Sequence, residues 1–424
     1  MTGRLLEVLG NRAGAGDLVA TADDTLTAGW DGDGGYQLSH DETAQVQIRV
    51  IDQGRIGWAG GEAQFESEVL DAAIRSAAVG GPAPIYLPAA APLPTIASAS
   101  SASSRLGARD LLDLVAALRS RVDLPRTTLG VTAERSFGSV RVGNTRGVWV
   151  EYQTSMVGLG AALWIDDGPG DPVLVHACQS APIDEVQIEA LATELEQSAR
   201  PRLLDHERPA RSTRVWFAPR AVRALLAPLM ARLIGESWLH QSEPVPQLDQ
   251  RLTLTDDPWA PGRPGSRPID DDGVATTPIV LIEKGTAKRG IVDLIVGAGG
   301  GVPSTGHAWR RGFAPPRIGF SNVVLAGGDA SEAGLFRAAN EGILVRSLRF
   351  GPAPNPLTGV FRVAVPWAYR VRGGEVVGRL EGAVLSGNVF DLLTRVVAIG
   401  ADHQWIGAAA IPSLVLDGAS LTFR

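Results

Sequence analysis

The chain changes texture near its middle, and that change limits the architectures open to it. Up to about residue 200, segments of helical spacing alternate with strand-like ones. Past the polar stretch PRLLDHERPARS (201–212), one long helical run remains, APRAVRALLAPLMARLIGESWLH (218–240). After it come short strands and Gly/Pro-rich loops, with further helical runs only near 330–342 and 389–399. The pattern predicts an α+β protein of two domains: a mixed α/β domain over 1–205, and a predominantly antiparallel β domain over 206–424 carrying the long helix. A chain of 424 residues is also too long for one ordinary core.

In the first half, TAQVQIRV (43–50) alternates polar and apolar residues. RIGWAG follows after a DQG turn, so the two read as a hairpin. SVRVGN and GVWVEYQTS read as a second hairpin around GNTRG. Helical spacing recurs around 62–79 and over 105–121, and a helix over about 184–199 takes Asp184 as its N-cap. The Pro/Ala/Ser-rich stretch 88–104 is expected to be a mobile loop.

Composition excludes some functions. Net charge is −7 and only two of the 39 basic residues are lysines, Lys284 and Lys288. An acidic chain without a basic face is not expected to bind nucleic acid. Cys178 is the only cysteine, so no disulfide and no thiolate metal cluster can form within the chain. No stretch approaches a membrane span, and the first residues lack a secretory pattern, so a cytoplasmic setting is expected.

The chemistry-bearing candidates are few. GESWLH (235–240) differs by one residue from His-Glu-x-x-x-His, in which two histidines bind zinc and the glutamate activates water. Gly235 replaces the first histidine, while Glu236 and His240 remain one turn apart. Two ligands without a third make a weak site, and the pair also suits a helix end with an imidazole near the dipole. His307 and His403 are candidate third ligands. The run Asp270, Asp271, Asp272 lacks the alternate spacing of a calcium loop and reads as solvated. The Gly-rich runs 297–310 and 321–329 match no phosphate-binding spelling; their glycines suit close backbone approach.

In order along the chain, RLTLTDDP, IDDDGVATTPIVLIEKG, PSTGHAWR, PPRIGFSNVVLAGGDAS, AANEGILV and EGAVLSGNVFDLLTRVVAIGAD resemble the sequence blocks of the TldD/PmbA family of zinc peptidase components. AQVQIRVIDQGRIGWAGGE and SVRVGNTRGVWVEYQTS fit its N-terminal half more loosely. The resemblance implies two kinds of chain that pair as a heterodimer. A D-type chain carries the zinc helix and a C-terminal cysteine ligand; an E-type chain lacks them. Gly235 and the cysteine-free IGADHQWIGAAAIPSLVLDG resemble the E-type. The implied role is a non-catalytic subunit that binds no metal itself, pairs with a zinc-bearing D-type partner and supplies half of a chamber for unfolded or modified peptides. Thr305, Gly306 and His307, in the block PSTGHAWR, are the candidate substrate or interface contacts; a structural turn is the alternative. The competing functions are a stand-alone metal-dependent hydrolase with an atypical site and a cytoplasmic scaffold.

Overall fold

Alternation of side chains across strands organises both halves. The computed structural model describes residues 2–32, 34–166, 173–199, 212–241, 244–310, 316–348, 357–365 and 368–423. The segment 201–211, where the domain boundary is expected, lies outside them, as does His206.

Six antiparallel strands form the first sheet: β1 Ala15–Trp30, β2 Tyr36–Asp52, β3 Arg55–Glu62, β4 Thr127–Asn144, β5 Trp149–Ile165 and β6 Val173–Ala181, ordered β3-β2-β1-β4-β5-β6. Both expected hairpins form, with Asp52 opposite Arg55 and Gly143 opposite Trp149. Among the described residues, the helices of this half cover one face. Helices α1 Thr2–Ala13 and α2 Glu66–Val79 pack on Leu18, Ala20, Val46, Ile48 and Val50. Helix α3 Ala108–Arg121 buries Leu111, Val115 and Leu118 against Ala28, Val131 and Leu159. Alternate residues face the other way, where Val19, Val140, Val142 and Tyr152 meet Ile269 of the C-terminal half.

Most of the remaining strands form two sheets. In the larger, Val360–Ala364, Ala383–Asn388, Leu414–Phe423, Ser212–Phe217, Ile343–Val345, Ala368–Arg372 and Glu375–Leu380 lie side by side in that order, with Val396–Ile399 pairing onto the third. Two strand pairs in the C-terminal half are parallel; the other described pairs are antiparallel. The strand at 212–217 shows how one sheet serves two cores. Val215 and Phe217 belong to the C-terminal core, whereas Trp216 joins Leu111, Leu191, Tyr369 and Val415 in a core shared by both halves.

Several expectations are corrected. Past helix α4 Ile188–Ser198, the run 218–240 is not one long helix but three short ones: α5 Pro219–Leu225, α6 Ala227–Arg232 and α7 Gly235–Leu239. Pro228 cannot donate a backbone hydrogen bond, and the chain turns extended at Ile234. The 88–104 stretch, expected as a loop, makes defined contacts with both halves. Ser98 donates to Gln153 O at 2.6 Å, Ser155 Oγ accepts from Ser100 N, and Gly262 N donates to Ala97 O. Asp184 caps no helix: it sits in a 3-10 turn, and the following helix starts at Ile188. LIVGAGG (294–300) is a helix capped by Asp293, a further one not expected from its glycines. The region 389–399 divides into a helix, Val389–Leu393, and the strand Val396–Ile399.

Candidate functional site

The degenerate zinc helix is set apart by its backbone. Leu233 ends α6, and Ile234 pairs in β fashion with Ile291. Ile291 N donates to Leu233 O, and Gly235 N donates to Ile291 O, both at 2.8 Å. Gly235 then starts α7 with φ +55°. Any L side chain there is strained, and a Cβ would stand 2.9 Å from Ile318 Cδ1. The position of the missing histidine is therefore one that the backbone reserves for glycine. Glycines also let α7 close on its neighbours: a Cβ at Gly290 would strike Trp238, and one at Gly300 would strike Leu239.

Glu236 and His240 do share a face. Glu236 Oε2 lies 3.5 Å from His240 Nε2, but the side chains are 74% and 64% exposed. His240 closes the helix through its own N–H to Glu236 O at 2.9 Å. Such a solvated pair contributes little energy. The candidate third ligands are engaged elsewhere. His307 Nε2 contacts Asp256 Oδ2 at 2.9 Å and its Nδ1 contacts Thr305 O at 2.7 Å. His403 Nε2 contacts the Leu325 carbonyl at 2.5 Å. Among the described residues, the one His/Cys/Asp/Glu group whose ligand atoms converge is Asp24, His40 and Glu42, on the N-terminal sheet. The donors at α7 do not fit a catalytic zinc, which takes three protein ligands in a tetrahedral set.

Thr305, Gly306 and His307 lie inside the C-terminal half. His307 is 0% exposed and Thr305 is 7% exposed. The Thr305 hydroxyl donates to Val292 O at 2.9 Å and accepts from Val292 N at 2.8 Å. Gly306 turns at φ +77°, where a Cβ would come within 3.0 Å of Ala275 O. The turn braces Asp256 and the 291–293 segment, and its side chains are buried.

The aspartate run is also corrected: Asp270, Asp271 and Asp272 are buried, not solvated. They close a network that joins the two halves. Arg49 on β2 binds Asp17 on β1 and reaches Asp272 Oδ1 at 2.9 Å. Arg310 bridges the same two carboxylates. Arg267 stacks on Trp309 at 3.7 Å and donates to Ala308 O. Burial lowers the Arg310 pKa, but Asp17 and Asp272 outweigh it and hold the guanidinium charged more firmly than usual. Burial, then the Asp272 charge, push Asp270 up to about 7, against backbone N–H groups of Ala308 and Val274 that favour its ionised form.

That shift has a testable consequence. Asp270 holds a proton in the folded chain where the unfolded chain has released it, between its ordinary 3.8 and about 7. Its contribution to stability is present below the lower value and is lost as pH rises through the upper one. The melting-temperature difference between Asp270→Asn and wild type therefore shifts in favour of the variant as pH rises from 4 to 7. A difference independent of pH contradicts the assignment.

Comparisons with known proteins identify the family. The PmbA/TldA metallopeptidase C-terminal domain model matches residues 210–422. The chain belongs to the PmbA/TldD family. Its fold matches TldE from Thermococcus kodakarensis with a TM-score of 0.89, at 19% identity, over 99% of each chain. A metalloprotease of Methanocaldococcus jannaschii is 30% identical over 36% of this chain and 34% of its own. A metalloprotease TldD homolog of Haemophilus influenzae is 27% identical over 34% and 30%. The chain spans about a third of the length of these two metalloproteases.

Proposed function

We propose that this chain is the non-catalytic, E-type subunit of a two-subunit zinc metallopeptidase, paired with a D-type catalytic chain that carries the zinc. The carrying observation is Gly235: the first ligand position of the zinc helix has no side chain and adopts a left-handed backbone that disfavours one. The cysteine-free segment 400–411 agrees with it. That segment instead forms the edge strand Gln404–Trp405 of the smaller sheet and the neighbouring strand Ala409–Ile411. The reading gives the chain a share in holding peptide and in the contact between subunits, in the cytoplasm. Hydrolysis belongs to the partner.

Zinc analysis tests the metal part. The purified chain, loaded with zinc and desalted, is expected to retain less than about a tenth of an equivalent, because two exposed donors form an incomplete set. One equivalent, lost in Glu236→Ala and His240→Ala, refutes the reading and favours a hydrolase in its own right.

A further inference from the structure

We propose that the helix-free face of the N-terminal sheet, beyond its contact with the C-terminal half, binds an extended cationic polypeptide. Cross-strand register defines this face. Asp23 lies opposite Thr43, Asp41 opposite Thr25, Glu134 opposite Thr27, and Glu62 opposite Gln45, so all four carboxylates project to the same side. Among β1 to β5, the only Lys or Arg that alternates onto this side is Arg49. Arg49 is sealed at the other end of the sheet between Asp17 and Asp272. Beside Asp23, which is itself engaged, the open part of the face therefore carries three further acidic groups and no cation of its own strands.

Its relief suits a chain lying flat. Gly29, Thr132 and Gly160 stand in one row across the strands, with Gly130 and Ala162 beside them. These residues, Gln37 and Trp164 line a shallow cavity of about 530 Å³. Trp164 is 38% exposed and its ring leans over Gly130, where a Cβ would come within 3.2 Å. An exposed indole next to a low floor offers a surface for a lysine or arginine side chain, and the carboxylates add long-range attraction. Asp41 and Thr132 are exposed, while Asp23 and Glu134 are half-buried at the floor. The complementary occupant is a basic, unfolded segment that can lie along the low floor. This deepens the peptide-holding role proposed above, and its test needs no partner subunit.

The test is fluorescence anisotropy with a labelled Gly-Ser-Arg repeat peptide and a Gly-Ser-Glu control, using the full chain. The arginine peptide is expected to bind and the control not. Binding should weaken as salt rises toward about 0.15 M, where the screening length is about 8 Å. Asp41→Lys with Glu134→Lys should weaken binding about tenfold or more, and Trp164→Ala about threefold. The decisive comparison is Asp41→Lys against Glu42→Lys. They are neighbours with the same change in net charge, but Glu42 projects to the opposite face, opposite Asp24. Loss in Asp41→Lys alone supports the proposal. Equal loss in both, equal binding of the two peptides, or no binding to wild type overturns it. Co-purification with a D-type chain is unaffected by any of these outcomes, so the two proposals fail separately.

Discussion

Replacing Arg310 with methionine is expected to destabilise the chain by about 3–5 kcal/mol, because it leaves buried carboxylates without one of their two cations. Arg310 is 1% exposed, as is Asp272, and it joins Asp272 to Asp17, which is 2% exposed. The loss acts across the junction of the two halves, since Asp17 lies on β1 and Asp272 in the loop of the C-terminal half. Equilibrium urea unfolding measures it. Arg141→Met is the matched control: its pair with Glu151 is 43% and 48% exposed, and such pairs are worth at most about 1 kcal/mol. A loss below about 1 kcal/mol for Arg310→Met would mean that water or Arg49 alone satisfies the carboxylates.

The second large effect is at His307. His307→Ala removes a fully buried imidazole from Asp256, which is itself 0% exposed and also accepts from Ser321 N at 2.8 Å. Stripping one partner from a buried ionisable pair typically costs about 3–5 kcal/mol. The cavity left behind adds to this. Glu236→Ala and His240→Ala, both solvated, should change stability by no more than about 0.5 kcal/mol. Parallel thermal and urea unfolding of the three variants separates a structural His307 from an exposed contact residue. Comparable small effects in all three would return His307 to the list of surface candidates.

The hairpins were legible because period-two patterning and turns such as DQG and GNTRG are local signals. The break in the long helical run was not. Apolar spacing continues through Leu233 and Ile234, and only the tertiary bridge to Ile291, with Gly235 in the left-handed region, shows that the helix ends there. The aspartate run misled for a related reason. Three consecutive carboxylates look solvated until their arginines are known, and Arg310 and Asp17 are 293 residues apart. No local pattern encodes such a pair. The polar cluster at Thr305–His307 was visible, but whether it faced inward depended on Asp256 and Val292. At GESWLH the missing ligand was plain in the sequence. Its backbone conformation, which makes glycine the fitting residue there, was not.

Reconstitution with a D-type subunit separates a supporting role from a catalytic one. Peptide hydrolysis is measured for this chain alone, for the mixture, and for a mixture carrying Glu236→Gln in this chain. The chain alone is expected to show no hydrolysis, the mixture zinc-dependent hydrolysis, and the Glu236→Gln mixture a rate within about twofold of it, since a general base normally contributes about a hundredfold or more. Hydrolysis by this chain alone, or its loss in the mixture when Glu236 becomes glutamine, would contradict the supporting role.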